Sequence, residues 1–169
     1  MKYLSKLATT IFLFLAMLSA AEAAEVFPAF SSQNLEGQPV TNSVFADKKL
    51  TMINFWGTYC PPCIEEMPDL GELARTMPEG TQLVGIVIDV SAGDADTQSE
   101  AKDILTKAKA DFLQILPVRE MIPYLETLIG VPTTIFVDAQ GNIVGEPLVG
   151  SRSGEAYRAE IIKVLELVQ

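Results

Sequence analysis

The sequence has no histidine, only two cysteines, a single tryptophan, and 12 Lys and Arg against 22 Asp and Glu. Each scarcity narrows the function. A structural zinc site needs four ligands, commonly from Cys and His; two Cys and no His do not supply them, so no metal is expected. A formal net charge of −10 argues against nucleic acid and anionic lipid as partners, because both are bound by clustered Lys and Arg. Long apolar runs are also missing. The longest uncharged stretch near the start, Leu7 to Ala21, falls short of the ~20 residues a transmembrane helix needs. The two cysteines, Cys60 and Cys63, would close only a tiny loop, which does little to staple a fold.

What is present is enough for a packed core: 49% of the 169 residues are hydrophobic and 20% charged, a composition and length that suggest one domain and not a disordered chain. There are no internal repeats, low-complexity segments or domain linkers. The first 23 residues stand apart. Lys2 and Lys6 precede the apolar stretch, which contains Ile11-Phe12-Leu13-Phe14-Leu15, and Ala21-Glu22-Ala23 follows with small residues where a signal peptidase reads. This is the three-part pattern of a secretory signal peptide. Residues 1–23 are therefore expected to be a cleaved leader, with an uncleaved membrane anchor as the alternative and residues 24–169 as the domain. No Cys near the cleavage site speaks for a lipid anchor. Export would place the chain in an exported, periplasmic or other extracytoplasmic compartment, where disulfides can form. A lone CxxC pair there implies a use other than general stability.

Along the chain, Phe27, Phe30 and Leu35 are isolated apolar anchors, and Glu36-Gly37-Gln38-Pro39 is a turn between two short extended pieces. Leu50–Trp56 and Leu83–Val90 are apolar at nearly every position, as in strands covered on both faces. Helical spacing marks Pro61 to about Met77 (through Met67, Leu70, Leu73 and Ala74) and Thr97 to Ala110 (through Ala101, Ile104, Leu105 and Ala108). A short strand is expected over Phe112–Leu116, a short helix over Glu120–Leu128, and a strand over Thr133–Val137. A hairpin turn at Asp138–Asn142 then leads to a strand over Ile143–Val149. The last helix, Ser153–Val168, would turn Ile161, Ile162, Leu165 and Val168 inward. Strands alternating with helices, with one late hairpin, give an α/β sandwich around a mixed sheet.

The cysteines fall where a buried strand ends and a helix begins. A helix N-terminus carries unpaired N–H groups and partial positive charge, which favour thiolate over thiol. Cys60 at the helix start would expose its sulfur. Cys63, one turn further on the same face, would be shielded yet close enough to resolve a mixed disulfide formed at Cys60. Pro61 suits the first turn, where a missing N–H costs nothing.

At Asn54-Phe55-Trp56-Gly57-Thr58-Tyr59-Cys60-Pro61-Pro62-Cys63 the sequence resembles the thioredoxin superfamily, and within it the TlpA/ResA-like exported thiol–disulfide oxidoreductases. Pro68 matches the proline that kinks the active-site helix, Val131-Pro132-Thr133 matches the cis-proline segment, and TTIFVDAQGNIVG resembles the final hairpin. The likeness spans about residues 26 to 169. It implies an α/β, thioredoxin-like three-layer sandwich with a central mixed sheet, an N-terminal short-strand extension, and one inserted helix–strand unit over Asp89 to about Ile115. It implies Cys60 and Cys63 as the catalytic pair and Pro132, in cis, beside them, with Val131 pairing with an incoming peptide. Where classical thioredoxin has a buried Asp six residues before the first Cys, this chain has Asn54, which cannot titrate. The subgroup tends to carry a Glu three residues after the second Cys, here Glu66, which at helical spacing shares a face with Cys60 and Cys63. A carboxylate there can take the Cys63 proton. Glu65 and Glu66 are equally explained as acids that stabilise the first helical turns. Trp56 reads as a rim residue offering apolar area to a partner, or as a core aromatic closing the strand.

Pro61 and Pro62 lack N–H groups, and a carboxylate at Glu66 opposes a second negative charge. Both features disfavour the reduced thiolate that makes strong oxidants of this chemistry. The expected activity is reduction of protein disulfides by dithiol–disulfide exchange, with the Cys60–Cys63 pair as the redox group and no added cofactor. The resemblance adds apocytochrome c as a possible substrate and a membrane thiol–disulfide donor as electron source, for a monomeric protein. Alternatives are a disulfide oxidase or isomerase, a thiol peroxidase, and a redox-regulated, non-enzymatic binding protein.

Overall fold

The computed structural model describes residues 25–168; the leader reading of residues 1–23 lies outside them. Phe27, Phe30 and Leu35 are all buried and pin the N-terminal extension to the domain. Strands β1 (Ser31–Gln33) and β2 (Pro39–Thr41) form a small antiparallel ribbon across the expected turn, and helix α1 (Ser43–Ala46) inserts Phe45 below. The main elements follow as β3 (Leu50–Trp56), α2 (Pro61–Arg75), β4 (Thr81–Val87), α3 (Ala95–Ala108) and β5 (Leu113–Ile115). A 3₁₀ turn (Arg119–Met121) runs into α4 (Ile122–Leu125), and β6 (Thr133–Asp138), β7 (Leu148–Val149) and α5 (Gly154–Leu165) complete the chain.

The main sheet has the order β5-β4-β3-β6-β7, with β3, β4 and β5 parallel, β6 antiparallel to β3, and β7 antiparallel to β6. β3 is therefore central, which is why its residues are apolar without alternation. Its period-two geometry still sorts them by face. Met52 and Trp56 join Met67, Leu70, Tyr157, Ile161 and Val164 beneath α2 and α5. Ile53 and Phe55 join Phe27, Phe45, Val84, Ile135 and Tyr124 on the opposite side. Burying each large apolar side chain contributes ~1.5–3 kcal/mol. The mixed three-layer sandwich, with its ribbon extension and its inserted α3–β5 unit, is as expected.

Several boundaries move. β4 begins earlier, at Thr81, and ends at Val87, before the expected Val90. α3 begins before Thr97 because Asp94 caps it, its carboxylate accepting from the Asp96 and Thr97 amides at 3.2 Å. The strand expected over Ile143–Val149 is broken. Val137 and Ile143 make an isolated bridge, Gly145 takes a φ of +75°, and pairing resumes only at Leu148–Val149. Gly145 and Pro147 explain the gap, since a left-handed glycine bends the strand and a proline gives the ladder no N–H. In α5 the inward face is Tyr157, Ile161 and Val164, whereas Ile162 is exposed.

Candidate active site

The junction between β3 and α2 is built from local hydrogen bonds. Cys60 is the N-cap of α2, in extended conformation, and Pro61 and Pro62 occupy the first helical positions. The Cys60 amide donates to Gly57 O at 3.2 Å, and the Ile64 amide returns to Cys60 O at 3.1 Å. The cysteines form a disulfide, with the Cys63 amide 3.3 Å from Cys60 Sγ. Pro68 lies within the helix, as expected.

The cap position corrects one expectation. Cys60 was expected to expose its sulfur, yet in this disulfide form it is only 5% exposed, against 0% for Cys63. The extended cap turns Sγ back toward the Cys63 amide and toward Val131 O, 3.6 Å away. Exposure falls instead on the flanks: Pro61 and Pro62, and the apolar side chains of Tyr59 (65%) and Ile129 (89%). Val131–Pro132 is a cis peptide bond, and Gly150 donates to Pro132 O at 2.8 Å, tying this segment to the residues after β7. Cys60, Cys63, Val131 and Pro132, far apart in sequence, thus meet at one end of the sheet.

Glu66 lies one turn beyond Cys63 and is buried. Asn54 Nδ2 donates to its Oε1 at 2.9 Å. Its Oε2 accepts from the Arg152 amide at 3.1 Å and from the Tyr157 hydroxyl at 3.0 Å. Burial raises its pKa above the ordinary carboxylate value, and these three donors, with the Arg152 charge, pull against that rise. Asn54 Nδ2 also reaches Thr134 Oγ1 at 3.1 Å, while Asn54 Oδ1 has no partner among the described residues. Glu65 is exposed.

Trp56 is not a rim residue. It is 0% exposed, and its indole N–H donates to Gln114 Oε1 at 2.9 Å. As the last residue of β3 it faces α2, so the core reading is the correct one and it offers no surface to a partner. Sequence reasoning missed Tyr157, Arg152, Thr134, Asp89 and Gln114. Tyr157 alone left a signal, standing four and seven residues before Ile161 and Val164 on the inward stripe of α5. Arg152 acts through its backbone amide, Asp89 from a loop, and Thr134 and Gln114 from other strands of the sheet, where only the strand order and register bring them to Asn54 and Trp56.

The Redoxin family model matches residues 22–161. The thiol-disulfide oxidoreductase ResA of Bacillus cereus is 27% identical over 139 residues, covering 81% of this chain and 75% of that protein. The thiol:disulfide interchange protein DsbE of Yersinia pestis is 27% identical over 156 residues, covering 90% and 78%. Among solved structures, a thiol:disulfide interchange protein of Chlorobium tepidum superposes with a TM-score of 0.71 at 24% identity, over 86% of this chain and 99% of that one, and shows the same fold. With a cysteine pair capping a helix beside a cis-proline in that fold, the chain belongs to the Redoxin family, as a TlpA/ResA-like thiol–disulfide oxidoreductase of the thioredoxin superfamily.

Proposed function

We propose that this thiol–disulfide oxidoreductase works as a reductant of disulfides in exported proteins. The observation that carries the direction is the sparse donor set at Cys60. Of the first helical positions, Pro61 and Pro62 have no N–H to give, and the Cys63 amide reaches Cys60 Sγ. With the buried Glu66 carboxylate one turn beyond Cys63, a thiolate at Cys60 is stabilised less than at a helix start with all its amides, and a dithiol stabilised less gives up its electrons more readily.

The exchange runs in two displacements. The Cys60 thiolate attacks one sulfur of the substrate disulfide; a Cys60–substrate disulfide forms and the other substrate sulfur leaves as thiolate. Cys63 passes its proton to Glu66 and attacks Cys60 Sγ. The Cys60–Cys63 disulfide forms, and the second substrate sulfur leaves. Two electrons have moved to the substrate, which becomes a dithiol. An external dithiol donor must return the protein to its reduced form, and the cysteine pair serves as the redox group without an added cofactor. Val131 and Pro132 would present backbone to the substrate segment beside Cys60, and Pro61 and Pro62 would tune the potential.

Lys2, Lys6, the apolar stretch from Leu7 and Ala21-Glu22-Ala23 support export to an extracytoplasmic compartment, with residues 24–169 as the domain. There the substrate class includes apocytochrome c cysteines, and the donor is a membrane thiol–disulfide protein. Equilibration with glutathione of known redox poise tests the direction: a potential below roughly −180 mV is expected, and one above it would make the protein an oxidase or isomerase. Cys63→Ser, which stalls the mixed disulfide at Cys60, is expected to trap the substrate covalently; capture that persists in Cys60→Ser would favour the non-enzymatic binding reading.

A further inference from the structure

Glu66 is held by three elements besides its own helix. β3 supplies Asn54, the segment before α5 supplies the Arg152 amide, and α5 supplies the Tyr157 hydroxyl. The first two are fixed donors, an amide side chain already shared with Thr134 and a backbone N–H. Tyr157 differs. Its ring is fully buried, and its hydroxyl lies 3.0 Å from Glu66 Oε2 and 3.4 Å from Thr134 Oγ1. A hydroxyl can donate to one neighbour or accept from it, so it can follow the carboxylate through either protonation state. A phenylalanine would fill the same space, and nothing in the packing of Tyr157, Ile161 and Val164 against Met52, Met67 and Leu70 requires the oxygen. A buried hydroxyl aimed at a buried carboxylate, one helical turn from the resolving cysteine, is more than core filling needs.

We propose that Tyr157 is a positioning residue for the redox site: its hydroxyl, reaching from the terminal helix, fixes the Glu66 carboxylate and favours the ionised form that accepts the Cys63 proton. This rests on the proton-accepting role given to Glu66 above. The charged and titratable groups around that carboxylate are Tyr157 from α5, Arg152 from the segment before it, and Cys63 one turn back on its own helix. Asn54 from β3 is its neutral partner, and Thr134 from β6 touches Asn54 and Tyr157 but not the carboxylate. The sign of the effect follows. A donor to the carboxylate favours the charged form, so removing it lets burial raise the Glu66 pKa further, and proton acceptance from Cys63 begins at a higher pH.

The test uses the reduced full-length protein and an aromatic disulfide whose released thiolate is coloured. The first release reports attack by Cys60, and the second reports resolution by Cys63. In Tyr157→Phe the acid limb of the second step is expected to move up by about one pH unit, slowing resolution roughly tenfold at pH values below the limb, the size expected for one hydrogen bond to a charged group. The first step is expected to hold its rate. A fluorinated tyrosine at 157, a stronger donor of nearly the same shape, moves the limb the other way. With Glu66→Gln already present, Tyr157→Phe changes nothing further. An unshifted limb in Tyr157→Phe, or an equal slowing in the Glu66→Gln background, overturns the role of Tyr157 alone. Wild-type resolution in Glu66→Gln itself overturns the reading on which it rests. Should Tyr157→Phe fail to fold, the fluorinated variant carries the test, since a purely structural hydroxyl leaves the pH profile in place.

Discussion

Asp89 clamps Thr58. Both carboxylate oxygens lie 3.1 Å from the Thr58 amide, and Oδ2 takes the Thr58 hydroxyl at 2.7 Å. Thr58 belongs to the loop that delivers Cys60 to the head of α2, and Asp89 follows β4, where the inserted segment begins. The insertion therefore holds the active-site loop. Thr58 is buried, so a lost partner leaves its hydroxyl and amide unpaired. Asp89→Ala is expected to cost about 1.5–3 kcal/mol, the range for hydrogen bonds to a charged group. Asp89→Asn, which keeps one acceptor, recovers part of that. Denaturant unfolding of the oxidised protein measures both, and equal stability of Asp89→Ala and the parent would show that the clamp is dispensable.

Glu66 predicts a pH dependence. Its folded pKa is raised above the ordinary 4.5, with burial as the largest cause. A raised carboxylate binds its proton more tightly folded than unfolded, so its contribution is fully present below the unfolded value and is lost as pH rises through the folded one. Gln at this position does not titrate. The stability of the parent relative to Glu66→Gln is therefore expected to rise as pH falls from 8 toward 5. A difference that stays constant over that range would mean the carboxylate is not perturbed.

Asn54 makes a sharper case. Its amide donates to Glu66 Oε1 at 2.9 Å, so an acid at this position would set two carboxylates in contact. Like charges that close cannot both ionise without cost. Asn54→Asp is expected to destabilise the protein by about 1–3 kcal/mol near neutrality through the lost donor and the repulsion. The deficit should shrink as pH falls and the pair takes up a proton. Urea unfolding at pH 5 and pH 8 reads the difference, and an equal deficit at both would point to lost shape alone.

These side chains mark how far sequence reasoning reaches. β3 is legible because a central strand buries both faces, and α2 because its apolar positions recur every three to four residues. Cys60, Cys63 and Pro132 are legible because their chemistry or backbone restriction is written in a short motif. Asp89 and Gln114 are not, because Asp89 finds Thr58 from a loop after β4 and Gln114 finds Trp56 across β4, and both meetings depend on the strand order of the whole sheet. The break at Gly145 is hidden by the apolar residues on either side, which keep the look of a strand. The misplaced Trp56 has a similar origin. Composition says that an aromatic near a redox pair can serve a partner, but only the direction of the strand pleat decides which face it takes.

That direction makes Trp56 a reporter of the core, with its own prediction. As the single tryptophan, fully buried and bonded to Gln114, it links β3 to the inserted β5. Gln114 is itself held in place by Gly85 on β4: a Cβ at 85 would collide with the Gln114 amide group. Gly85→Ala must therefore push that amide aside and leave the indole N–H without its acceptor. Gln114→Leu removes the acceptor outright. Each is expected to cost about 1–3 kcal/mol, the penalty for an unsatisfied buried donor, and to shift the tryptophan emission of the folded protein. Trp56→Phe should lose stability through the emptied volume while leaving the KM for a disulfide substrate unchanged, because the indole is fully buried. A large rise in KM without loss of stability would return Trp56 to the surface role.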